Sequence, residues 1–67
     1  MSSLFDRIHE LVRNSNWEDQ IEEWEEDKEE RCVAYTLFDG STLVVFEDGR
    51  YEHYTKGQVL TGTLAGS

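Results

Sequence analysis

The sequence predicts an α+β domain in which two N-terminal helices, forming a helical hairpin, pack on one face of a three- to four-stranded antiparallel meander. Three observations carry that expectation. Apolar residues recur at helical spacing as far as Trp24, the pattern changes to alternation from Cys32 onward, and Asp39-Gly40, Asp48-Gly49 and Lys56-Gly57 punctuate the alternating part. The expected layout is a single domain with a helical part over 4–31, an antiparallel sheet over 32–61 and a flexible tail over 62–67.

The first helix is predicted over about residues 4 to 13. Ser3 and Asp6 form the three-apart capping pair, and Leu4, Phe5, Ile8, Leu11 and Val12 follow at the spacing of one helix face. Asn14-Ser15-Asn16 breaks the pattern. Asn16 with Asp19 repeats the capping pair ahead of Trp17, Ile21 and Trp24, which stand at i, i+4 and i+7, so a second helix is predicted over about 17 to 30. After Trp24 that segment is almost purely acidic, and its far end is expected to project into solvent or fray.

Val33–Phe38, Thr42–Phe46 and Arg50–Thr55 are rich in β-branched and aromatic residues and are predicted to be strands, with Gln58–Thr61 as a fourth. Two-residue loops at Asp39-Gly40 and Asp48-Gly49 would set Phe38 opposite Ser41, Tyr35 opposite Val44, Phe46 opposite Tyr51 and Val44 opposite His53. One face would then carry Val33, Tyr35, Leu37, Val44, Phe46, Tyr51 and His53. The other would carry Cys32, Ala34, Phe38, Leu43, Val45 and Tyr54. Two short helices cover one face only, so the other is expected to meet a partner or a second copy in a homodimer.

A chain of 67 residues sits near the size at which one core is marginal, and its single cysteine, Cys32, excludes an internal disulfide, so association is the expected source of extra stability. No basic start leads into an apolar run and no stretch approaches a membrane span, which predicts a cytoplasmic protein, in the host cell's cytoplasm if virus-encoded.

Charge is the most informative feature. The formal net charge is −9, and between Glu18 and Glu30 nine acids (Glu18, Asp19, Glu22, Glu23, Glu25, Glu26, Asp27, Glu29, Glu30) face one base, Lys28. Outside that segment six acids and five bases nearly cancel. On a helix rising about 1.5 Å per residue the segment would span roughly 20 Å, a length in which duplex DNA carries about 12 charges. The predicted function is therefore a small acidic protein-binding module, an inhibitor of the DNA-mimic or anti-CRISPR kind, virus or mobile-element encoded. Its nine acids would occupy the basic nucleic-acid-binding surface of a partner protein. The bland alternative is a solvated helix face, the usual reason for a charge run. A halophilic surface is a further alternative, and the concentration of the acids in one segment weighs against it.

A second functional reading makes the chain a structural or assembly module whose contact is the sheet face, with Tyr35, Phe46 and Tyr51 at its centre. Stacking of bases on those aromatics is not expected, because an acidic domain repels phosphates. His9 and His53 belong to no spaced metal motif, Cys32 lies in no nucleophile motif, and carboxylates on an open helix lack the sheltered pair that acid–base chemistry needs. No enzyme activity, metal or cofactor is expected.

Overall fold

A computed structural model describes residues 3–64 as one helix and a five-stranded antiparallel sheet. Helix α1 spans Leu4–Arg13, and a short 3-10 turn, Glu18–Gln20, leads into β1 (Ile21–Asp27). The chain then meanders through β2 (Cys32–Leu37), β3 (Thr42–Phe46), β4 (Arg50–Thr55) and β5 (Gln58–Thr63), which lie side by side in chain order. The expected helical hairpin on a three- to four-stranded sheet is thus corrected to one helix on five strands.

Helix α1 follows the sequence closely. Ser3 Oγ accepts from the Asp6 backbone N–H at 3.1 Å and the Asp6 carboxylate reaches back to the Ser3 N–H. Its apolar stripe places Ile8 and Val12 against Val33, Tyr35, Leu37, Leu43 and Val45, all of them buried. Leu4, Phe5, Trp17, Ile21, Tyr51 and Leu64 pack around this cluster. One helix suffices because β2 and β3, directly beneath it, carry most of the apolar side chains.

Residues 17–30 were expected to be helical and are not. Asn16 caps nothing there; Ser15 Oγ instead accepts the Trp17 N–H at 3.2 Å, and a single 3-10 turn ends at Gln20. From Ile21 the chain pairs with β2, Trp24 opposite Tyr35 and Asp27 opposite Cys32. The register shifts between Ile21 and Glu23, leaving Glu22 as a β-bulge. A bulge puts residues three apart on one face of a strand, so Ile21 and Trp24 both face the helix side although their spacing reads as helical. Electrostatics favours the strand too. A helix would stack Glu18 on Glu22, Glu22 on Glu26 and Glu25 on Glu29 at i, i+4, where like charges destabilise. The strand sends alternate acids to opposite faces. The segment closes on the Asp27 carboxylate, which accepts the N–H groups of Glu29 at 3.0 Å and Glu30 at 3.1 Å.

Both Asp-Gly loops hold three residues rather than two. Thr36 pairs with Thr42, and Gly40 adopts φ 90° while donating to the Leu37 carbonyl; Gly49, at φ 95°, does the same to Phe46. Each extra residue slips the register by one. Tyr35 therefore faces Leu43 and not Val44, Val45 faces Tyr51, and Leu43 faces His53. The two slips reverse β3 alone: Leu43 and Val45 enter the core, while Val44 and Phe46 turn to the open face with Cys32. Phe38, expected in a strand, lies in the loop with its ring exposed. Of the expected tail 62–67, Gly62 and Thr63 belong to β5, and Leu64 N–H donates to the Gly49 carbonyl at 2.7 Å; residues 65–67 lie outside the described residues. Among the described residues no helix is long and apolar enough to cross a membrane.

Candidate functional site

The nine acids from Glu18 to Glu30 are all exposed and occupy one edge of the sheet. Glu18 and Asp19 lie on the 3-10 turn, Glu22 on the bulge, Glu23, Glu25, Glu26 and Asp27 along β1, and Glu29 and Glu30 in the β1–β2 turn. Glu23, Glu25 and Asp27 share the open face with Thr36, Ala34 and Cys32, whereas Glu26 is on the helix side opposite Val33. The extended backbone dilutes the charge relative to a helix. The five carboxylates of β1 spread over roughly 23 Å at about 3.3 Å per residue, a spacing nearer to one phosphate strand (about one charge per 3.4 Å) than to a duplex (about one per 1.7 Å). The base at the end of the turn, Arg31, is taken by a bidentate pair with Glu47, both contacts at 2.9 Å. Arg31 adopts φ 55° in this turn, and Lys28 is the base within the acidic run.

Trp24 stands in the middle of this strand with 56 % of its surface exposed. Its ring meets His9 of α1 edge-on at 5.2 Å, and His9 in turn lies 5.6 Å from Tyr35. His9 joins the helix to the sheet through both ring nitrogens. Nε2 lies 2.9 Å from Glu26 Oε2, and Nδ1 lies 2.6 Å from the Tyr35 hydroxyl. A carboxylate only accepts, so Nε2 carries a proton, and in the neutral imidazole Nδ1 then accepts from the Tyr35 hydroxyl. Burial pushes the Tyr35 hydroxyl well above the ordinary tyrosine value, the Glu26 charge adds to that shift, and Arg13 opposes it. Beside this cluster α1 and β1 enclose an open groove lined by Asp6, His9, Glu10, Arg13, Glu18 and Trp24. The groove offers an aromatic edge, three carboxylates and one guanidinium.

The sequence locates the acids but not this cluster, because His9 and Tyr35 are 26 residues apart and neither stands in a motif. The second predicted contact fares differently. Tyr35 is 2 % exposed beneath α1, and Tyr51 is half-buried on the same side against Trp17 at 5.8 Å. Phe46 faces the opposite side with the Arg50 guanidinium 5.8 Å over its ring. Tyr35, Phe46 and Tyr51 therefore do not form one surface, because the slip of β3 separates Phe46 from the two tyrosines.

Asp39, Ser41 and His53 form a hydrogen-bonded row that invites comparison with a nucleophilic triad. Ser41 Oγ donates to the Asp39 carboxylate, the Ser41 N–H donates to the same oxygen at 2.9 Å, and His53 Nε2 lies 3.0 Å from Ser41 Oγ. The serine's proton is thus committed to the aspartate, and the imidazole donates to the hydroxyl instead of accepting from it. A nucleophilic serine needs the reverse order, with histidine between serine and aspartate. These bonds hold the Asp39 carboxyl below its usual range and brace the β2–β3 loop. Cys32 is buried, and burial with Asp27, Glu30 and Glu52 nearby raises its thiol, which disfavours the reactive thiolate. Among the described residues no three of His, Cys, Asp and Glu converge as metal ligands. The chain matches no family model, no curated protein and no solved structure.

Proposed function

We propose that this chain is a protein-binding module whose acidic edge, β1 with its two flanking turns, takes up the basic nucleic-acid-binding surface of a partner protein and blocks it. The observation that carries the reading is the exposure of Trp24 at the centre of the acids. A large aromatic left open in a field of carboxylates suits a cationic partner, because its face attracts a guanidinium or ammonium while the surrounding acids supply the charge. In this arrangement a basic segment of the partner runs along β1, and one arginine or lysine enters the groove between α1 and β1, sharing Asp6, Glu10 and Glu18 with Arg13. The reading places the module in the cytoplasm of a host cell, encoded by a virus or mobile element and acting on a host nucleic-acid-binding protein.

The test is capture from host lysate across a salt series, with duplex DNA as competitor. Wild type is expected to retain a nucleic-acid-binding protein that both salt and DNA release, since charge-driven contacts weaken as ionic strength rises. Glu23→Lys, Glu25→Lys and Glu29→Lys together change the net charge from −9 to −3 without touching the His9–Glu26 contact, and they should abolish capture. Trp24→Ala should weaken it by about 2 kcal/mol, roughly thirtyfold. Capture that survives both variants refutes the proposal.

A further inference from the structure

The two edges of the sheet differ in kind. β1 carries five carboxylates in seven residues, the usual protection of an edge strand against pairing. β5, Gln58-Val59-Leu60-Thr61-Gly62-Thr63, carries no charge and no proline, and Val59 and Leu60 are 53 % and 51 % exposed. Among the described residues its strand neighbour is β4 alone. The hydrogen-bonding direction along β5 follows from its end: Leu64 N–H points inward to the Gly49 carbonyl, so by alternation Gly62, Leu60 and Gln58 bond to β4, and Thr63, Thr61 and Val59 direct their N–H and C=O groups outward.

We infer that β5 is a self-association edge: two copies of the chain pair antiparallel through β5 about a two-fold axis at Thr61, giving a continuous ten-stranded sheet. This register uses the outward-pointing groups of Val59, Thr61 and Thr63 in both copies. It also sets Leu60 opposite the second copy's Gly62. Leu60 and Gly62 project to the helix side, where Leu60 is exposed and Gly62 is roofed by the Tyr51 ring of its own chain. The leucine of each copy thus lies beside the aromatic ring that covers the other's glycine. Electrostatics selects this edge over the other. Pairing β1 with itself would set acids against acids, which destabilises a ladder. Across paired β5 strands the nearest acids, the two Glu52 side chains opposite Thr61, stand three strand spacings apart. That is roughly 14 Å, beyond the screening length of about 8 Å at physiological salt. A two-fold pair is closed, and it leaves both acidic edges free at the far ends of the joined sheet.

Sedimentation equilibrium of the full chain, from micromolar to millimolar and from low to high salt, tests the inference. The 7.8 kDa monomer should pass into a dimer as concentration rises, and association should tighten with salt, because each copy carries −9. That salt dependence is opposite in sign to the one expected for partner capture by β1, so the two readings fail separately. Thr61→Pro removes an outward-pointing donor and leaves the β4 ladder intact, and Thr61→Lys sets like charges across the axis; each should weaken association by at least about tenfold with unchanged circular dichroism. The lysine reversals at Glu23, Glu25 and Glu29 should leave the dimer in place. A wild type that stays monomeric at millimolar concentration in high salt, a dimer that persists in both Thr61 variants, or growth into filaments overturns the inference.

Discussion

Replacing Gly62 by alanine puts a methyl group where the Tyr51 ring already lies. A Cβ at position 62 would stand 2.5 Å from Tyr51 Oη, 2.6 Å from Cζ and 2.7 Å from Cε2. Ordinary contact between such atoms begins near 3.5 Å, so the ring must retreat by about 1 Å. Its retreat is obstructed, because Tyr51 meets Trp17 edge-on at 5.8 Å and Trp17 packs on His53 at 4.8 Å. Gly62 is not among the positive-φ glycines, so the backbone itself accepts alanine and the effect is steric. Overpacking of this kind costs about 1–3 kcal/mol, which for a domain of this size lowers the melting temperature by roughly 5–20 °C. Thermal unfolding followed by circular dichroism and tryptophan fluorescence measures the shift. The deciding comparison is the same substitution in a Tyr51→Val background. There the clash is gone, and exchanging a strand glycine for alanine should stabilise by about 0.5–1 kcal/mol. A Gly62→Ala effect that keeps its sign and size in that background refutes the argument that Gly62 exists to receive the tyrosine ring.

Two further predictions concern the helix–sheet junction and the bulge. Tyr35→Phe removes the hydroxyl that donates to His9 Nδ1 and should cost about 1 kcal/mol at neutral pH by chemical denaturation. The folded value of that hydroxyl lies above its unfolded value of about 10, so its contribution is complete below that pH and is lost as pH rises further; wild-type stability should fall steeply in strong alkali. The alkaline slope should be shallower in Tyr35→Phe, and an unchanged slope counts against the burial argument. Deleting Glu22 removes the bulge and leaves Ile21 two residues before Trp24, where regular alternation keeps it opposite Leu37 on the helix side, so the deletion should change stability by less than about 1 kcal/mol. A denaturation midpoint that falls as far in the deletion variant as in Ile21→Ala would refute the assignment of Glu22 as the extra residue in that register.

Local chemistry was sufficient wherever one pattern had one structural solution. The Ser3–Asp6 capping pair and its apolar stripe specify α1 with its observed ends, and alternation with β-branched residues specifies β2, β3 and β4 in their places. The sequence also located the acidic segment and the absence of compensating bases within it. Tertiary structure decided the rest, for reasons that are physical. Trp17, Ile21 and Trp24 satisfy a helix period and a bulged strand equally, and the choice fell to the strand because an unpaired edge of β2 was available and the acids repel less when extended. An Asp-Gly pair closes a hairpin of two or three residues with similar local chemistry. A difference of one residue reverses a whole strand, so only packing under α1 determined that Leu43 and Val45, not Val44 and Phe46, would fill the core. The same packing buried Tyr35, tied Glu26 to His9 and left Trp24 open among the carboxylates. The charge of the candidate site was therefore legible in the chain from the start. Its shape was not, because shape depends on contacts between residues far apart in sequence.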